Sequence, residues 1–153
     1  VTRALSPVVG VVLLAAITVV LAASVGLVVS GSATADPPPQ ATFSLSADAT
    51  TDRIALTHEG GDTLSTTDLT VRITVDGEPL EHQPPVPFFA ATGFRGGPTG
   101  PFNPATDPEW TAGEPAAVRL ASTNAPLPGP GSTVAVTIST DGAVIAELET
   151  QAE

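Results

Sequence analysis

The sequence predicts an α+β chain: one long hydrophobic helix at the N-terminus, then an all-β antiparallel sandwich of the Ig-like kind. Three observations carry that prediction. From Leu5 to Val29 an apolar run is interrupted only by Ser6, Pro7, Gly10, Thr18, Ser24 and Gly26. After Gln40 the apolar period drops to two. All 16 acidic residues lie at or after Asp36, together with four of the five basic ones, so the region beyond the apolar run carries a net charge of −12.

The helix is expected over residues 5–30, behind a short basic leader remnant at 1–4. Leu5 to Val29 would span roughly 37 Å as a helix, more than the ~30 Å hydrocarbon core of a bilayer. Ser6 suits an N-cap, and Pro7 suits the first turn, where its missing N–H costs no hydrogen bond. Apolar residues cover every side, so the helix either crosses a membrane or packs inside something apolar. Three readings follow. A cleaved secretory signal has an A-x-A site at Ala33-Thr34-Ala35, but the apolar run exceeds the ~7–15 residues of an ordinary signal core. A signal-anchor would keep Arg3 in the cytoplasm and place the acidic domain outside. A filament stem would use small residues such as Ala16 and Gly26 as close-approach points between helices.

Residues 31–40, "GSATADPPPQ", read as a linker: a flexible exit, then a stiff polyproline spacer. The head, 41–153, alternates. Phe43, Leu45 and Ala47 share a face, as do Leu69, Val71, Ile73 and Val75, and Val134, Val136 and Ile138. Asp76-Gly77 and Asp141-Gly142 are tight-turn pairs, and Val144, Ala146 and Leu148 are expected to return on one face. With "AVRLA" at 117–121 and short pieces near 79–82 and 86–90, six to eight strands and almost no helix are expected after Val29.

Composition excludes several chemistries. So acidic a domain repels phosphate backbones, so no nucleic-acid partner is expected. An acidic, lysine-free surface suits concentrated salt, where self-repulsion is screened. Cysteine is absent, which removes disulfides and thiolate metal sites. No catalytic constellation, metal site or cofactor is expected. "HEGGD" at 58–62 invites comparison with the zinc-protease H-E-x-x-H, but Gly60-Gly61 opposes the helix that motif needs, and a turn is the expected form. Asp107 and Glu109 read as solvated loop charges. The segment 83–111 holds Phe88, Phe89, Phe94, Phe102 and Trp110 among prolines and glycines. These aromatics either anchor a partner or fold back to cap the sandwich.

The order of residues at the start carries a resemblance. "RALSPVVGVVLLAAITVVLAA", residues 3–23, resembles the N-terminus of archaeal type IV pilins, especially those of salt-loving archaea. Arg3-Ala4 matches the pair before a prepilin peptidase cut, Leu5-Ser6-Pro7 the start of the mature subunit, and Val8-Val9-Gly10-Val11 with Ala16-Ile17-Thr18-Val19 the helix. "LTHEGGDTL" and Gly113-Glu114 resemble the heads more loosely. The resemblance implies cleavage between Ala4 and Leu5 by prepilin peptidase. It also implies a cytoplasmic N-terminus, a helix held first in the cell membrane, and then assembly with like chains and other pilins into a surface filament for adhesion. The alternative is a monomeric membrane-anchored or secreted β-sandwich binding protein.

Overall fold

The computed structural model describes residues 6–30 and 37–153. The chain divides into two compact units, Val1–Pro37 and Pro38–Glu153. Ala4 and Leu5, and most of the 31–40 linker, lie outside the described residues.

In the first unit, one helix, α1, runs Ser6–Ser30 over 25 residues, with Pro7 in its first turn. Side-chain surroundings are described over residues 7–23, about 26 Å of helix at ~1.5 Å per residue. Among the described residues no helix is long and apolar enough to cross a membrane.

The second unit is β throughout, with two short 3-10 turns at Thr66–Asp68 and Gly100–Phe102. Its strands are β1 (Ala41–Asp48), β2 (Arg53–Gly61), β3 (Leu64–Ser65), β4 (Leu69–Val75), β5 (Glu78–Pro79), β6 (Glu109–Trp110), β7 (Pro115–Arg119), β8 (Thr133–Thr140) and β9 (Ala143–Gln151). They form three sheets, ordered β1-β2-β7, β3-β6 and β5-β4-β8-β9, and every strand pair is antiparallel. The chain is therefore α+β: one helix followed by antiparallel sheets.

The alternating strands behave as their period dictates. In β4, Leu69, Val71, Ile73 and Val75 are buried, and in β8 so are Val134, Val136 and Ile138. These rows face each other in register, Val71 opposite Ile138 and Ile73 opposite Val136. They join Phe43, Ala47, Ile54, Leu56 and Val118 of the three-stranded sheet in one core. Asp76-Gly77 and Asp141-Gly142 both take positive φ, 52° and 82° in the first pair and 46° and 82° in the second. That is the conformation a two-residue hairpin turn requires.

Three expectations are corrected. Val144 does not share a face with Ala146 and Leu148: it is 60% exposed, while Ile145, Ala146 and Leu148 pack against the core. The register slips there, with Ile138 opposite Ala146 but Ser139 opposite Val144, so Ile145 is an extra residue and the bulge turns Val144 outward. No strand forms at 86–90. Pro84, Pro85 and Pro87 remove the amide donors a ladder needs. Finally, "HEGGD" is not purely a turn. β2 continues to Gly61, and a second slip leaves Glu59 unpaired between Phe43–His58 and Thr42–Gly60. Gly61 ends the strand at φ +106°, where a Cβ would collide with the Gln40 carbonyl.

Candidate functional site: the apolar helix and the surface of the head

α1 presents its apolar side chains outward on every side. Every residue from 7 to 23 is exposed, including Val8, Val11, Leu14, Ile17, Val20 and Leu21, and Leu14 reaches 71%. A surface like this is far larger than the few hundred Å² of contiguous apolar patch that soluble monomers tolerate. Its one polar side chain in that stretch is already satisfied, since the Thr18 hydroxyl donates to the Leu14 carbonyl at 2.8 Å. Returning the bond to its own helix leaves Thr18 no unmet demand in apolar surroundings. Val8, Val9, Val12, Leu13 and Ala16 line a shallow hollow of about 370 Å³ along one face, with the small Ala16 at its end. Gly26 lies in α1 beyond the residues whose surroundings are described.

The helix sits within the segment that carries the comparison. Residues 3–43 match the family model described as archaeal type IV pilin, N-terminal. The match supports a pilin-type structural subunit. The chain is also 36% identical over 78 residues to an uncharacterised protein of Archaeoglobus fulgidus, an alignment covering 50% of this chain and 54% of that one. The chain thus spans about half the length of the curated relative it matches.

The segment that matches the family model ends at Phe43, on a strand of the head. There Phe43 meets an aromatic cluster: its ring lies 4.9 Å from Trp110 and 5.0 Å from His58, and Phe102 packs edge-on to Trp110 at 5.0 Å. Trp110 is 0% exposed, and its indole N–H donates to the Glu114 carbonyl at 2.8 Å. Of the five aromatics in 83–111, Phe88, Phe94, Phe102 and Trp110 are core residues, and Phe89 alone is exposed, at 62%. The Phe88 amide donates to the Phe102 carbonyl at 2.9 Å and Gly97 donates to the Phe89 carbonyl, so the segment is tied down at both rings.

His58 is also 0% exposed, and neither ring nitrogen has a hydrogen-bond partner among the described residues. Glu59 lies exposed and accepts from the Ser44 hydroxyl at 2.5 Å. Of the His58–Glu59 pair, one side chain is thus buried and the other exposed. Asp62 caps the start of β1 instead, its carboxylate accepting the Gln40 amide at 2.9 Å. Among the described residues no group of three His, Cys, Asp or Glu is placed to hold a metal. Asp107 accepts the Glu109 amide at 3.0 Å, a loop-closing bond.

Two polar residues that the sequence reading passed over hold the long segment in place. Buried Asn124 accepts the His82 and Ala125 amides (3.1 and 3.0 Å) and donates to the His82 and Gly93 carbonyls (3.0 and 3.1 Å). Gln83 accepts the Ile73 amide at 2.7 Å and donates to the Ile73 carbonyl at 2.9 Å, as a neighbouring strand would. Neither residue has a local sequence signal, because the bonds that tie the segment down reach Ile73, His82 and Gly93, 10 to 42 positions away.

Proposed function

We propose that this chain is a structural subunit of an archaeal type IV pilus-like surface filament, with a head that serves attachment. One observation carries the reading: the segment that matches the family model contains a helix whose apolar side chains are all exposed over residues 7–23. In this reading the helix Ser6–Ser30, roughly 37 Å at ~1.5 Å per residue, would be held in the membrane before assembly together with residues outside the described stretch. It would then pack among identical helices, with the hollow at Ala16 and the small Gly26 admitting close approach. Prepilin peptidase would cut between Ala4 and Leu5, and the head, an Ig-like sandwich in this reading, would lie outside the cell. Phe89 is the aromatic of the long segment left for a partner. Nothing in this reading calls for catalysis.

The test is to shear cells, sediment the released material, and sequence the N-termini it contains. A filament subunit is recovered in the high-mass fraction with Leu5 at its mature end. Recovery only from detergent-treated membranes would favour the monomeric anchored protein, and a mature end at Asp36 would favour a cleaved signal.

A further inference from the structure

The basic residues of the head are few and unevenly placed. Against 15 acids the head has four arginines and no lysine, yet Arg53, Arg95 and Arg119 line one pocket of about 250 Å³ with Gly96, Gly97 and Thr99. Arg53 of β2 stands directly opposite Arg119 of β7. Residues so paired place their side chains on one face about 5 Å apart, where like charges destabilise the sheet. Arg95 arrives from the long segment, which docks against β7: its amide donates to the Arg119 carbonyl at 2.9 Å, and Phe94 and Thr99 bridge to Leu120 and Ala117. Three chain segments are thus held together by backbone bonds with their cations converging.

The acids that could relieve this do so poorly. The single ion pair among the described residues is Arg95–Asp52, at 3.9 Å. Asp48, opposite Arg53 in register, spends one carboxylate oxygen on the Thr50 and Thr51 amides at 2.8 and 3.1 Å. Among the described residues Arg53 and Arg119 form no ion pair. The Gly96 amide, in the pocket wall, has no backbone acceptor among the described residues. Guanidinium forks present several donors in the geometry that carboxylate and phosphate oxygens accept, and a bound anion would offset the Arg53–Arg119 repulsion. The volume suits one such group and not a large ligand.

We propose that the pocket framed by Arg53, Arg95 and Arg119 is an oxyanion-binding site, taking a carboxylate or phosphate-type group. Two sources carry that chemistry: a free anion, and a carboxylate on the acidic surface of a second copy of this chain. The proposal does not rest on the filament reading, since the site is built within one head.

The test uses the full chain in detergent micelles. Its thermal midpoint is followed while inorganic phosphate or succinate replaces chloride at constant ionic strength. Self-association is measured in parallel by analytical ultracentrifugation. A free-anion site predicts a midpoint rise of about 5 °C at saturating phosphate or succinate. The rise should vanish in Arg53→Gln/Arg119→Gln and persist in Arg72→Gln, whose arginine lies on β4 outside the pocket. A copy-borne carboxylate predicts association of the wild type that phosphate reverses and the double substitution removes. An equal rise in all three proteins would be a general salt effect and would overturn the proposal. So would the absence of both the rise and the association. No filament enters the measurement, so its failure leaves the filament reading standing.

Discussion

In α1 the large apolar side chains face outward, whereas in the head residues of the same kinds are turned inward and Val134, Val136 and Ile138 lose all contact with solvent. The difference lies in arrangement. The head alternates apolar and polar residues along β4 and β8, so two sheets can close on each other and leave threonines and charges outside. Over residues 7–23 the helix has no polar face to leave outside, and among the described residues its unit offers no second element to close upon. One region therefore completes its burial by folding, and in the proposed reading the other would complete it in lipid or among other chains. Stability of the head and assembly through the helix should be separable by mutation.

The largest expected effect is on the helix. Ala16→Arg places a charge at the end of the apolar hollow and should abolish or severely thin filaments, with Gly26→Leu milder. Filament yield by electron microscopy, beside membrane-fraction blotting and the head's unfolding midpoint, checks it. Normal filaments from both variants would show that the helix is not a packed core.

In the head, Trp110→Ala should cost about 3–5 kcal/mol, because it empties the centre of the Phe43–Phe102–His58 cluster and removes one of the two donors to the Glu114 carbonyl, which keeps the His58 amide at 3.1 Å. Denaturant unfolding of the full chain in detergent measures this, with unchanged membrane insertion as the contrasting readout. Asn124→Ala comes next, at about 1–3 kcal/mol, since it removes the side-chain partner of the His82 amide and carbonyl and of the Ala125 amide, while the Gly93 carbonyl keeps the Ala121 amide at 2.9 Å. A change below about 0.5 kcal/mol would mean water replaces the side chain easily. Phe89→Ser, by contrast, should alter head stability by no more than about 0.5 kcal/mol while reducing attachment of filaments to surfaces. Unchanged attachment would remove Phe89 as a contact.

The smallest effect appears only in acid. Asp48 is held below the ordinary aspartate range chiefly by the Thr51 amide. The Thr50 amide and the charge of Arg119 act in the same sense, and burial acts against them. A carboxyl lowered on folding contributes stability that is complete above its unfolded value and is lost as pH falls through its folded value. Asp48→Asn should therefore flatten part of the decline in unfolding midpoint below about pH 4 and leave its slope near neutrality unchanged. A decline identical to that of the wild type would exclude Asp48 as a contributor.

How much of this was legible in the sequence depended on whether the signal was local. The helix was legible because its composition alone is decisive, and β4 and β8 because a strict period of two and an Asp-Gly pair leave one register. Val144 was misplaced because a one-residue bulge inverts a period-two pattern without changing composition. Phe88 and Phe89 could not be told apart, since irregular chain has no period; the bond from the Phe88 amide to Phe102 separates them. The meeting of Arg53 with Arg119 was invisible for a further reason: it depends on β2 pairing with a strand more than fifty positions away.

The Gln83 amide has a consequence for a crowded fibre. β4 has β8 along one side, while on the other the two-residue β5 covers only Thr74 and Val75. The Ile73 carbonyl has the Leu80 amide at 3.1 Å, but its N–H would be left open to any passing strand, which heads held at close quarters in the proposed filament would supply continually. Gln83 occupies that N–H and adds a second donor to the carbonyl. A side chain thus acts as a doorstop on the sheet's open edge, so that in such a filament copies would meet as folded bodies and not zip into one another.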